Sequence, residues 1–96
     1  MQVIENRADV RGRVEGVADD PALAGYAVVT LVPEAVADVP GYANLFREAA
    51  GRPMDVRVAA DRVAAIGLTA GDQVTARVRL AGPGRVFADA ASLEKR

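Results

Sequence analysis

The fold is decided by the stretch Ile66-Gly67-Leu68-Thr69-Ala70-Gly71-Asp72-Gln73-Val74-Thr75-Ala76-Arg77-Val78-Arg79-Leu80. A Gly71-Asp72 turn leads directly into a segment in which apolar and polar residues alternate. One set of side chains is expected to face a core (Val74, Ala76, Val78, Leu80) and the other to face outward (Gln73, Thr75, Arg77, Arg79). This pattern predicts a half-buried strand of a small β-barrel.

Composition narrows the functional classes. The 96 residues, 51% of them hydrophobic, suffice for one domain over residues 1–96 with a single core. Cysteine and histidine are absent, which excludes disulfides, zinc sites of the usual His/Cys kind and histidine base catalysis. No other metal-ligand spacing or catalytic constellation is present, so we expect a protein that is not an enzyme. A net charge of −1 makes nucleic acid an unexpected partner.

The location of the protein in the cell is predicted from two sequence signals that are absent. No run approaches the roughly 18 apolar residues that cross a bilayer. The chain does not open on a charged, then apolar, then small-residue leader. We therefore expect a soluble, cytoplasmic protein without a membrane span.

Further strands are predicted on either side of the opening stretch. Residues 9–18 alternate, with glycines at positions 12 and 16 of the inner face, where a strand coils sharply or another backbone approaches closely. Residues 26–32 are apolar on both faces, and Pro33 is expected either to end this strand or to force its distal part to an edge. Such a strand is covered by another element or by another subunit, which favours a homo-oligomer. Residues 54–60 and 85–88 complete five strands, and residues 61–66 form a short helix with Asp61 as its cap.

One segment has helical periodicity. Tyr42, Leu45, Phe46 and Ala49 fall at i, i+3, i+4 and i+7, which predicts an inserted helix over about residues 38–51. Its main interpretation is a plug at one end of the barrel. The alternative is a face that binds a protein partner through Tyr42 and Phe46. Residues 90–96 are predicted to be a frayed polar tail.

Together these elements predict an all-β fold with one or two short helices, namely a five-stranded OB-like barrel. At this level the chain resembles the Mop domain and its TOBE relatives, which are small OB-like modules that bind molybdate or tungstate. The family begins on Arg-Asn-x-apolar-x-Gly-x-Val, and residues 7–14 read Arg-Ala-Asp-Val-Arg-Gly-Arg-Val. The family's LGLxxGDxVxA motif is similar to residues 66–76. The resemblance covers about residues 5–32 and 54–88.

The resemblance implies an oxyanion site made of backbone amides, a serine, a lysine and a following Ser/Thr. Arg62 stands at the serine position, Arg79 at the lysine position and Ala81 at the Ser/Thr position. Two hydroxyl donors are therefore replaced while positive charge is kept. The candidate ligand residues are Arg62, Arg79, Thr75 and Arg7, and the implied ligand is molybdate, tungstate or another oxyanion.

Three functional hypotheses stay open. The first is a non-catalytic binding or assembly module that takes a small oxyanion at a subunit interface. The second is a protein-interaction module that uses the 40–50 helix. The third is weak oligonucleotide binding on an outer face bearing Arg57, Arg77, Arg79 and Arg85. The same arginines are also typical of a solvated strand face that resists aggregation.

Overall fold

The computed structural model describes residues 4–96, in which five strands close into a barrel. They are β1 (Ala8–Asp19), β2 (Tyr26–Asp38), β3 (Met54–Ala59), β4 (Gln73–Gly82) and β5 (Arg85–Ala88). The order is β1-β2-β3-β5-β4, and β4 returns to pair with β1. All neighbours are antiparallel except β3 and β5. With the helix α1 (Ala60–Ile66) between β3 and β4, this arrangement confirms the predicted OB-like barrel.

The core follows the predicted alternation. Val74, Ala76 and Val78 of β4 are buried, and Leu80 packs against the same cluster. Valines supply most of the rest, because β-branched side chains pack well between closely spaced strands. The other core valines on strands are Val10, Val14, Val29, Val56, Val58 and Val86.

Gly12 confirms the prediction of a close backbone approach. A Cβ at this position would clash with the carbonyl oxygen of Val32 on the neighbouring strand. The β1–β2 register shifts here, since Arg11 pairs with Ala35 and Gly12 with Pro33. Pro33 therefore sits at a bulge, where its missing N–H is tolerated, and β2 continues to Asp38. Beyond Leu31, β2 pairs with β1 but not with β3, so its distal part lies at an edge, the second of the two predicted outcomes.

The helix predicted over residues 38–51 is wrong. Asp38 ends β2, and the following residues form successive turns. The Asn44 side chain accepts the N–H of Phe46, which competes with helical hydrogen bonding. Gly41 has a φ of +86°, outside the helical region. Phe46 nevertheless packs into the core, so the segment contributes a plug without being a helix.

The short helix before β4 is confirmed, although Asp61 lies in its first turn and Ala59 occupies the cap position. The prediction of a frayed tail over residues 90–96 is wrong. Residues 90–92 form a 3₁₀ turn, and β6 (Glu94–Lys95) pairs with β4. Leu93 between them is only 2% exposed, and its burial anchors the C-terminus against the barrel.

Candidate functional site

A cleft of about 480 Å³ opens beside the end of β4. It is lined by residues 4–7, by Tyr42 and by residues 79–81, and we call it the Arg7–Arg79 cleft. The cleft thus brings together two of the four predicted ligand residues. It also contains Tyr42, which the sequence had assigned to a different function.

Asn6 builds one wall of this cleft. Its Nδ2 donates to the carbonyls of Ile4 at 2.8 Å and Leu80 at 2.9 Å. The N–H of Leu80 donates to Asn6 Oδ1 at 2.7 Å. Asn6 is only 5% exposed. Its side chain forms the hydrogen bonds that a neighbouring strand would otherwise make with β4 at Leu80. Sequence reasoning missed Asn6, and the available signal was an amide residue directly before a strand.

Arg7 is held from the opposite side. Its backbone N–H donates to the carbonyl of Ala43 at 3.0 Å. Its Cζ lies 4.9 Å from the centroid of the Tyr42 ring, within the range of a cation–π contact. The loop that follows β2 therefore positions both the backbone and the guanidinium of Arg7.

Arg79 is positioned by β5. Its Cζ lies 5.3 Å from the centroid of the Phe87 ring, and Arg79 and Phe87 are cross-strand partners. Phe87 meets Tyr26 edge to face, with centroids 5.8 Å apart. Both aromatic residues are half-buried and lie outside the core cluster, so the outer face of the barrel has an aromatic pair beside Arg79.

The register of β1 and β4 makes the two arginines neighbours. Ala8 pairs with Val78 in an antiparallel ladder, so Arg7 and Arg79 are the next residues along the two chains. In the described range 4–96, neither guanidinium forms an ion pair with a carboxylate. Like charges in adjacent cross-strand positions repel, and an anion between them would relieve that repulsion.

Two other outward arginines are already paired with carboxylates. Arg77 Nε and Nη2 donate to the two carboxylate oxygens of Asp9 at 2.8 and 3.2 Å, which raises the pKa of Arg77. Arg57 Nε donates to Asp20 at 2.8 Å, and the Asp20 side chain is 1% exposed. The N–H of Ala22, with Arg57, lowers the pKa of Asp20. These two arginines of the predicted basic face are thus neutralised.

Arg62 and Thr75 do not line the Arg7–Arg79 cleft. Arg62 Nη2 donates to the carbonyl of Leu93 at 2.8 Å, while its buried Nε has no hydrogen-bond partner in residues 4–96. Arg62 therefore holds the C-terminal segment. Thr75 lies on the outer face opposite Arg11, near Asp9 and Ser92.

The two predicted partner-binding residues have different environments. Phe46 is 6% exposed and belongs to the core, whereas Tyr42 is 38% exposed. Only Tyr42 is available at the surface, and its hydroxyl makes no hydrogen bond within the described residues.

No cluster of three or more metal-ligating side chains occurs in the described part of the chain. No helix between residues 4 and 96 is long and apolar enough to cross a membrane. Comparison with protein-family models, curated proteins and solved structures finds no match for this chain.

Proposed function

We propose that this protein is a non-catalytic binding module that holds a small oxyanion between Arg7 and Arg79. The proposal is carried by one observation: two arginines at neighbouring register positions of β1 and β4 line one cleft, and neither forms an ion pair with a carboxylate in residues 4–96. Residues 1–3 are Met, Gln and Val and bring no acidic side chain. Arginine forks bind tetrahedral oxyanions and phosphates through paired N–H groups.

The aromatic contacts support the proposal. Each guanidinium is braced by a ring, Arg7 by Tyr42 and Arg79 by Phe87. Bracing limits the rotamers of a long side chain before a ligand arrives, and so lowers the entropy lost on binding. The resemblance to molybdate-binding modules agrees at Arg79 and Arg7. Arg62 is not part of the proposed site, since its guanidinium holds Leu93.

Thermal unfolding with added anions tests the proposal. Phosphate, sulfate, molybdate or tungstate at a tenfold excess over Kd stabilises the fold by about 1.4 kcal/mol. For a chain of this size that raises Tm by about 5–10 °C. Sodium chloride of equal ionic strength is the control, because a general salt effect would raise Tm equally.

Variants assign the shift to the cleft. Arg7→Ala and Arg79→Ala should each remove it, whereas Arg85→Ala should not, because Arg85 is an exposed β5 arginine outside the cleft. A shift that survives both cleft variants, or no shift with any of the four anions, would disprove the proposal.

We also propose that the protein self-associates through β2. Ala27, Val29 and Leu31 face the core, which leaves Val28 and Val32 on the outer side, where they are half-buried. Native mass spectrometry of the wild type and of Val28→Thr tests this. A monomeric wild type at micromolar concentration would contradict self-association without affecting the anion site.

A further inference from the structure

The Arg7–Arg79 cleft is larger than its proposed anion. Cavities of about 300–1,000 Å³ hold small organic molecules, and a lone tetrahedral oxyanion is far smaller. The cleft measures about 480 Å³. An oxyanion bound between the guanidiniums would therefore occupy only part of it.

The remaining walls are not suited to a bare anion. Glu5 lines the cleft with a carboxylate, which repels an anion but accepts hydrogen bonds from hydroxyl or amino groups. Tyr42 has the Arg7 guanidinium over one side of its ring, is 38% exposed, and has a hydroxyl without a partner in the described residues. Ile4 and Leu80 add apolar surface.

These walls match a ligand with three parts. The arginine pair fits a phosphate monoester, since two forks can contact its three free oxygens. Glu5 fits the hydroxyls of a sugar. The Tyr42 ring fits a planar heterocycle, which stacks on aromatic side chains and on guanidinium planes.

We infer that the cleft takes a 5′-nucleotide, with the phosphate between Arg7 and Arg79 and the base against Tyr42. The inference rests on the proposed oxyanion function and names the class of compound that carries the anion. The same chemistry is presented by a free nucleotide and by the 5′-phosphorylated end of a nucleic-acid strand.

Titration calorimetry on the full chain separates the three parts of the ligand. The probes are inorganic phosphate, ribose 5-phosphate, adenosine 5′-monophosphate and adenosine. We expect affinity to rise from phosphate to ribose 5-phosphate. The base should add about 5- to 100-fold more, which is the range for one stacked base. Adenosine without phosphate should show no measurable binding.

Variants assign each gain to a side chain. Tyr42→Leu should make the affinities for adenosine 5′-monophosphate and ribose 5-phosphate equal, whereas Tyr42→Phe should keep the difference between them. Glu5→Gln should reduce the ratio between ribose 5-phosphate and phosphate. Glu48→Gln is its control, because Glu48 is exposed and outside the cleft.

A 5′-phosphorylated dinucleotide distinguishes the two sources. If the dinucleotide binds more tightly than the mononucleotide, the ligand is the end of a nucleic-acid strand. If it binds more weakly, the ligand is a free nucleotide. If phosphate and the mononucleotide bind equally, the inference is wrong and the oxyanion function stands. If neither binds, the oxyanion function fails as well.

Discussion

Two neighbouring positions on the β1–β4 ladder carry arginine in different settings. Arg77 faces Asp9 and forms a two-point ion pair with it. One step further along the same face, Arg79 is next to Arg7, and each guanidinium lies on an aromatic ring. The backbone geometry is shared, so the difference lies in the partner across the ladder.

This difference separates an arginine that stabilises the barrel from arginines that could bind a ligand. An ion pair completes the hydrogen bonding of both side chains and leaves little for a ligand. Two adjacent cations store repulsion that a bound anion relieves. Outward arginines on a barrel are therefore candidates for a site only where the register withholds their carboxylates.

The largest effect should come from removing the wall of the cleft. Asn6→Ala leaves the N–H and C=O of Leu80 without their side-chain partner. The two groups are part-buried, and each unsatisfied group costs about 1–3 kcal/mol, so urea unfolding should show a loss of about 2–6 kcal/mol. Asn44→Ala, which loses one exposed and one part-buried hydrogen bond, should cost about 1–2 kcal/mol. Equal losses in the two variants would contradict the role of Asn6.

Acid should weaken the fold through two carboxylates that are hydrogen-bonded and ion-paired, Asp20 with Arg57 and Asp72 with Lys95. The pKa values of Asp20 and Asp72 are lowered in the folded state from 3.8, mainly by the N–H groups of Ala22 and Thr69. A lowered folded pKa gives stability that is present above the unfolded value and lost as pH falls through the folded value. The free energy of unfolding should therefore fall steeply below about pH 4.

Asp20→Asn checks this contribution. The variant should be less stable than the wild type at pH 7 and should lose less on going to pH 3, because its side chain no longer takes up a proton. Asp19→Asn is the matched control, since Asp19 is exposed and is not in an ion pair within residues 4–96. Parallel stability curves for the wild type and Asp20→Asn would refute the assignment.

Exchanging partners across the ladder tests the comparison itself. Arg7→Asp places a carboxylate beside Arg79, and an opposite-charge cross-strand pair contributes about 0.2–1 kcal/mol. Stability without added anion should rise slightly, and the anion-induced Tm shift should vanish. Asp9→Arg should do the reverse at Arg77, with lower stability in low salt and a larger stabilisation by phosphate. Unchanged anion responses in both variants would show that neither pair governs binding.

The fold was predictable where alternation is strict and local. The Gly71-Asp72 turn and β4 form as expected, because the N–H of Gly71 donates to Val14 and the N–H of Val14 donates to Asp72. The helix over residues 38–51 failed because spacing alone does not detect the hydrogen bond that the Asn44 side chain accepts or the positive φ of Gly41. The C-terminal β6 was missed because a two-residue strand has no period of its own.

The site was predictable only in part. Arg7 and Arg79 were named from motif positions, but their proximity depends on the β1–β4 register. Asn6 and Glu5 escaped notice since neither forms a pattern along the chain. Arg62 was named as a ligand residue, and its hydrogen bond to Leu93 depends on a tail predicted to be frayed.

The smallest expected effect concerns the ring beneath Arg79. Phe87→Leu keeps an apolar side chain but removes a cation–π contact of about 0.5–1 kcal/mol. Arg79 then samples more rotamers, and phosphate affinity measured by calorimetry should weaken about 2- to 5-fold while Tm falls by about 2–8 °C. Tyr26→Leu removes the ring that touches Phe87 and should leave the affinity unchanged. An equal loss in both variants would mean that general packing of the β5 face, and not the ring under Arg79, orients the cation.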